Sequence, residues 1–182
     1  QAFLDADDFA EDRYWHGLPS DEKVAGPSHW SEPNHPKAYV TWYQAIAYCR
    51  GLTAVYDRAA EAGHDDPRPI PGGEIRLPDE WEWQWGAAGA EQRKFPWGNE
   101  YQEGFANINE TKTKKGSFFV QRASAVGIYP KGYTPSHSGS GSWADLAGNV
   151  WEWCRNSHDN PGELWSAKSV SYTHLRAHET QP

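Results

Sequence analysis

Apolar positions first fall into a sustained period at residue 41. Trp42, Ala45, Ile46 and Cys49 follow Thr41 at the spacing that puts side chains on one face of a helix. The Thr41 hydroxyl can cap the helix start while Gln44, three residues on, returns the bond, so the pattern predicts a helix opened by a capping box. The period continues through Val55, Tyr56 and Ala59 to Gly63, a stop signal, with Gly51 the weak point near its middle. Cys49 then lies on the apolar face. A second helix is predicted after Arg76-Leu77-Pro78, where Asp79 can cap and Glu82 can complete a second box. Trp81, Trp83 and Trp85 alternate as a strand would, but the caps and Ala87-Ala88 favour helix, with Trp81 and Trp85 sharing a face. Such an aromatic cluster either packs a core or serves as a sugar or peptide platform, and core packing is the commoner reason.

Elsewhere the pattern is short and broken. Residues 1 to 36 hold isolated apolar pieces (Phe3-Leu4, Tyr14-Trp15, Trp30) between acidic and Pro/Gly stretches and read as mostly loop, as do residues 64 to 74 and 132 to 142. Pro96-Trp97-Gly98-Asn99 is turn chemistry, and Ser124-Ala125-Val126-Gly127-Ile128-Tyr129 is a predicted strand. Lys112 to Lys115 form a basic patch read as an exposed hairpin tip. Gly148-Asn149 signals a turn, and Val150-Trp151-Glu152-Trp153 alternates after it, which predicts a strand with Trp151 and Trp153 on an inner face.

Composition narrows the class. A chain of 182 residues supports one domain with a real core. Its formal charge of −8 and pI near 5.4 argue against nucleic acid and anionic membranes as partners. No apolar run of about eighteen residues is present, and the chain reads as soluble and cytoplasmic, with its true start expected to be missing. Two cysteines are too few for a disulfide framework and lack CxxC spacing. Eleven Trp and no Met, with 17 Gly and 13 Pro, predict a loop-rich fold with few long helices and an aromatic core.

The densest chemistry is Asp145-Leu146-Ala147-Gly148-Asn149-Val150-Trp151-Glu152-Trp153-Cys154. Asp145 and Glu152 flank a turn whose carbonyls can point inward, a hard-oxygen set suited to calcium; the same spacing also fits two solvated carboxylates. His174 and His178 are spaced i,i+4 with Glu179 after them, but the glutamate a zincin needs directly after the first histidine is absent. His16, His29, His35, His137 and His158 show no ligand spacing. Neither Cys49 nor Cys154 sits beside a base that would activate it, so no catalytic residue is assigned.

Four segments carry a family resemblance. Leu146 to Trp153, Val40 to Cys49, Arg76 to Trp83, and Phe95 to Asn99 followed by Ala106-Asn107-Ile108 resemble, in order, the motifs of the sulfatase-modifying factor or formylglycine-generating enzyme family. The resemblance covers residues 1 to 160 and implies a single α+β domain of sparse, irregular secondary structure and C-type-lectin-like architecture. It implies calcium ligands at Asp145, Gly148, Val150 and Glu152, the glycine and valine through backbone carbonyls, and a second set at Asn107 and Ile108, to which Glu110 could contribute.

An intact parent would oxidise a cysteine of a peptide or protein substrate to formylglycine, using copper held by two late cysteines. No matching positions occur in this chain. Cys49 matches a position that pairs in some members, which leaves it unpaired or meeting Cys154. Residues 161–182 form an unassigned tail, with 170–180 resembling read-through of a foreign linker. The expected result is an inactive fragment. The alternative is a non-catalytic binding or sensor module of the same fold attached to a signalling protein.

Overall fold

The computed structural model describes residues 9–23, 32, 34–108, 122–136, 141–156 and, for the backbone, 169–170. The first eight residues, Trp30, the basic patch at Lys112 to Lys115, Glu110, and the histidines at 29, 137, 158, 174 and 178 lie outside them. Regular structure in the described residues is sparse, as the composition predicts. It comprises α1 (Asp12–Trp15), α2 (Trp42–Glu61), α3 (Glu80–Ala88), two single 3₁₀ turns at Ser20–Glu22 and Pro130–Gly132, and an antiparallel pair of β1 (Glu152–Trp153) and β2 (Ser169–Val170).

The chain divides into two compact units. The first comprises Gln1–His29 and Tyr39–Leu77. Its α2 begins as the sequence predicts: the Gln44 N–H donates to Thr41 Oγ1 at 3.3 Å and the Thr41 N–H donates to Gln44 Oε1 at 3.1 Å, two orphan donors satisfied reciprocally. The helix ends at Glu61, and Gly63 follows with a φ of 82° that suits glycine. Trp42, Ala47 and Cys49 lie on its buried side, and Ala47 joins Phe9, Tyr14 and Trp15 in the core. The loop after α2 closes on Arg68, whose guanidinium donates to Asp66, to Asp57 and to the Gly73 carbonyl.

The second unit comprises Trp30–Ala38 and Pro78–Pro182. The box at α3 also forms, with the Asp79 N–H donating to Glu82 Oε2 at 2.8 Å. Which tryptophan α3 buries differs from the sequence expectation. Trp83, not the Trp81–Trp85 pair, faces inward with Ala87, Leu146 and Cys154, while Trp81 and Trp85 are exposed. Alternating tryptophans give a helix no unique apolar stripe, so a tertiary partner selects the face: the Trp83 indole N–H donates to Glu152.

Two further expectations are corrected. Residues 124–129 form no strand; Gly127 turns at φ 76°, the Val126 N–H donates to the Asn34 carbonyl, and the Gly127 N–H donates to the Asp145 carboxylate. Trp151 is not an inner-face residue but 61% exposed. Successive side chains of a strand point to opposite sides, and with Glu152 turned in toward Trp83, Trp151 must point out. The turn at Phe95 to Gly98 is borne out by reciprocal bonds between those two residues.

Candidate metal site

The ten-residue stretch from Asp145 to Cys154 folds as a loop braced from three sides. Asp145, Gly148 and Asn149 all take positive φ (57°, 85° and 68°), which coils the backbone too tightly for a strand or helix. Asparagine and glycine tolerate this region best, so the sequence signal at Gly148-Asn149 is local and legible. Gly148 is also required by space, because a Cβ there would come within 2.5 Å of the Asn107 carbonyl oxygen and of Ile108 Cγ2.

Asn149 is the bracket. Its N–H donates to the Asn107 carbonyl at 3.0 Å, its Oδ1 accepts from the Ser124 N–H at 2.8 Å, and its Nδ2 donates to the Ser124 carbonyl at 3.2 Å. Asn107 Nδ2 donates to the Arg122 carbonyl at 2.8 Å and to Asn149 Oδ1 at 3.3 Å. The structure therefore brings Asn107 and Ile108 against Gly148 and Asn149, joining the two predicted ligand sets through one bonded seam. Each side-chain amide in the seam is nearly saturated, which fixes the loop without a regular ladder.

The two carboxylates stand at the ends of this loop. Asp145 Oδ2 accepts from the Gly127 N–H at 2.7 Å, and Glu152 Oε2 accepts from the Trp83 indole at 2.5 Å. Burial raises the Glu152 pKa, the Trp83 hydrogen bond offsets part of that rise, and the nearby Asp145 charge adds to it. Among the described residues no lysine or arginine is ion-paired with either carboxylate, whereas Asp79, on the same unit, is paired with Arg155 at 2.8 Å. A buried acid pushed up by burial and by a second acid is an arrangement a hard cation relieves. No group of three or more His, Cys, Asp or Glu gathers among the described residues, so any cation here would rest on two carboxylates and backbone oxygens. Within the loop the Gly148 carbonyl accepts from the Val150 N–H at 3.0 Å, one of its two lone pairs.

Both cysteines are buried, and neither is in a disulfide. Burial, helped by Glu74, pushes the Cys49 thiol up to about 11; burial, then Glu80, Glu152, Asp79 and Glu82, pushes Cys154 up to about 12. Such thiols stay protonated at neutral pH, as the sequence reading expects.

Sequence reasoning missed two residues that shape the site. Trp83 is the donor on Glu152 from 69 positions away, a separation that leaves no spacing signal. Asn149 was readable as a turn residue, and its side-chain bonds to a segment 25 residues earlier were not.

The chain is 32% identical over 147 residues to a formylglycine-generating enzyme of Thermomonospora curvata, covering 78% of this chain and 38% of that protein. It is 33% identical over 127 residues to the mouse formylglycine-generating enzyme, covering 66% of this chain and 27% of the mouse protein. It is 30% identical over 129 residues to a mouse protein named inactive C-alpha-formylglycine-generating enzyme 2, covering 70% of this chain and 34% of that protein. This chain thus spans well under half the length of these relatives. A profile of the sulfatase-modifying factor enzyme 1-like domain matches residues 1–176, and the chain belongs to that family.

Proposed function

We propose that the chain is the part of a formylglycine-generating-enzyme-like domain that carries its cation-braced loops rather than its catalytic cysteines. The intact parent would oxidise a cysteine in a peptide or protein substrate to formylglycine, and this portion alone would be inactive. The observation that carries the second half is the state of the two thiols. Copper(I) needs accessible thiolates, and Cys49 and Cys154 are buried thiols held protonated by burial and, for Cys154, by four carboxylates; they do not fit it.

Calcium fits the loop better. Asp145 and Glu152 supply two negative charges, Gly148 and Val150 supply carbonyl oxygens, and the seam to Asn107 and Ile108 holds the backbone that presents them. The role of bound calcium would be to tie the loop ends together. The C-type-lectin-like architecture that the resemblance implies is part of the same proposal.

A second reading is a non-catalytic module of the same fold, supported by the near-equal identity to the mouse protein named inactive. The test is incubation of the purified chain with a cysteine-containing sulfatase-type peptide, Cu(I) and oxygen, read by mass spectrometry. No formylglycine is expected. Copper-dependent turnover would overturn the structural assignment of both cysteines. A parent carrying two cysteines a few residues apart after a Gly-Gly-Ser would favour the oxidase over the module.

A further inference from the structure

Trp83 does more in the second unit than fill its core. The indole N–H donates to Glu152 Oε2 at 2.5 Å, and the ring clusters with Leu146, which follows Asp145, and with Cys154, two residues past Glu152. One side chain of α3 thus lies against both ends of the loop that carries the two acids. The helix start is also strapped to the chain just beyond Glu152. Arg155 Nη2 donates to Asp79 Oδ2 at 2.8 Å, the Glu80 N–H donates to Asn156 Oδ1 at 2.7 Å, and the Arg155 N–H donates to the Pro78 carbonyl at 2.8 Å. These bonds hold the backbone that bears Glu152 in register with the helix that bears Trp83.

Each acid has one oxygen occupied: Asp145 Oδ2 accepts from the Gly127 N–H at 2.7 Å, and Glu152 Oε2 accepts from Trp83. Among the described residues no hydrogen bond reaches Asp145 Oδ1 or Glu152 Oε1. A glutamate side chain has several torsions to fix before it can serve as a ligand, and freezing them costs entropy. An indole N–H on one oxygen fixes them in advance, as hydrogen-bonded partners of metal-binding carboxylates do. Indole is a donor only and carries no charge, so it orients the acid without neutralising it. Arg68, by contrast, neutralises the Asp66 it binds.

We propose, resting on the calcium reading of Asp145 and Glu152, that Trp83 is a positioning residue for that cation. Its N–H holds Glu152 Oε2 and so leaves Oε1 set for calcium before calcium binds. The helix α3, which contributes no ligand, thereby controls the affinity of the loop.

The experiment is calorimetric titration of calcium into the wild type, Trp83→Phe, and a chain with benzothienylalanine at position 83, which keeps the bicyclic shape and puts sulfur in place of the N–H. Melts in EDTA establish that each folds. Both replacements should weaken calcium binding about ten-fold or more, the scale for losing a partner that orients a metal ligand. Trp151→Ala should bind as the wild type does, and Glu152→Gln should lose most of its binding. In a nitrogen-labelled sample, the indole N–H resonance missing from Trp83→Phe should shift when calcium is added, and those of the exposed Trp81 and Trp85 should not. If Glu152→Gln loses calcium while the sulfur isostere binds as tightly as the wild type, the site stands and the role given to Trp83 is overturned. A Trp83 resonance indifferent to bound calcium overturns that role too, because the donor then sits on an acid the cation does not touch. If the wild type binds no calcium, the calcium reading itself fails and the role of Trp83 falls with it.

Discussion

The two compact units dispose of their partly buried carboxylates in opposite ways. In the first, Arg68 is 8% exposed and its guanidinium donates to Asp66 at 2.6 and 2.8 Å and to Asp57 at 2.7 Å. The negative charges are neutralised within the chain, and the loop after α2 is closed by the chain's own cation. In the second, Asp145 and Glu152 are set near each other with an amide N–H and an indole N–H as donors and, among the described residues, no basic side chain paired with either. The first loop is neutralised by its own cation; the second holds two acids with no ion pair among the described residues, and the calcium proposal rests on that difference.

The largest expected effect comes from removing the wall of the second arrangement. Trp83→Ala should destabilise by about 3 to 5 kcal/mol, because it opens a cavity beside Ala87, Leu146 and Cys154. It also strips Glu152 of its indole donor. A denaturant midpoint close to that of the wild type would show that α3 does not close this core.

Calcium is expected to come next. If the folded chain alone gathers the proposed ligands, stabilisation should grow with free calcium, by about 2.7 kcal/mol at a hundredfold excess over Kd. Magnesium should substitute poorly, since it demands a tighter octahedron and gives up water reluctantly. The check is thermal melting in EDTA, calcium and magnesium for the wild type and Glu152→Gln. A calcium shift that is absent, or equal in the variant, removes the contrast between the units and leaves two ordinary acids.

Acid should act on the first unit through Asp66. The Arg68 hydrogen bond, with that of the Gly72 N–H, holds the Asp66 carboxyl well below its ordinary value of 3.8. A carboxylate depressed in the folded state contributes stability above its unfolded pKa and loses it as pH falls through the folded one. The wild type should therefore lose melting temperature steadily below about pH 4, and Asp66→Asn, already lacking the charge, should show a shallower acid limb. Parallel limbs would mean that Asp66 and Arg68 are not coupled.

What could be read from the chain follows the range of each interaction. Thr41 with Gln44 and Asp79 with Glu82 are bonds across three residues, so both helix starts were legible. The loop-rich character and the turns at Gly98 and Gly148 were legible because glycine and asparagine mark positive φ by themselves. Trp83 over Trp81 and Trp85 was not, since all three satisfy the local pattern and the decision is made by Glu152. The alternating run at 124–129 misled for a related reason: its backbone groups bond to Asn34 and Asp145 instead of to a neighbouring strand. At the candidate site the pair Asp145 and Glu152 could be named from spacing, whereas the Asn107–Asn149–Ser124 seam that fixes the loop needed the fold.

The smallest expected effect belongs to Trp151, the residue most prominent in the motif and least engaged in the structure. It directly precedes Glu152, and an inward Trp151 would make it the cover over the carboxylates. Instead it is 61% exposed, because β1 turns Glu152 toward Trp83 and alternation sends its neighbour outward. Removing an exposed side chain with no cavity, cap or buried polar partner at stake costs little, so Trp151→Ala should change stability by no more than about 0.5 kcal/mol. Its calcium response should also match the wild type, since Glu152, Asp145 and the loop carbonyls are untouched. Urea melts with and without calcium, run beside Trp83→Ala, provide the measurement. A loss from Trp151→Ala comparable to that from Trp83→Ala would place the cover of the acidic loop on β1 rather than on α3, and the contrast drawn between the units would then need a different wall.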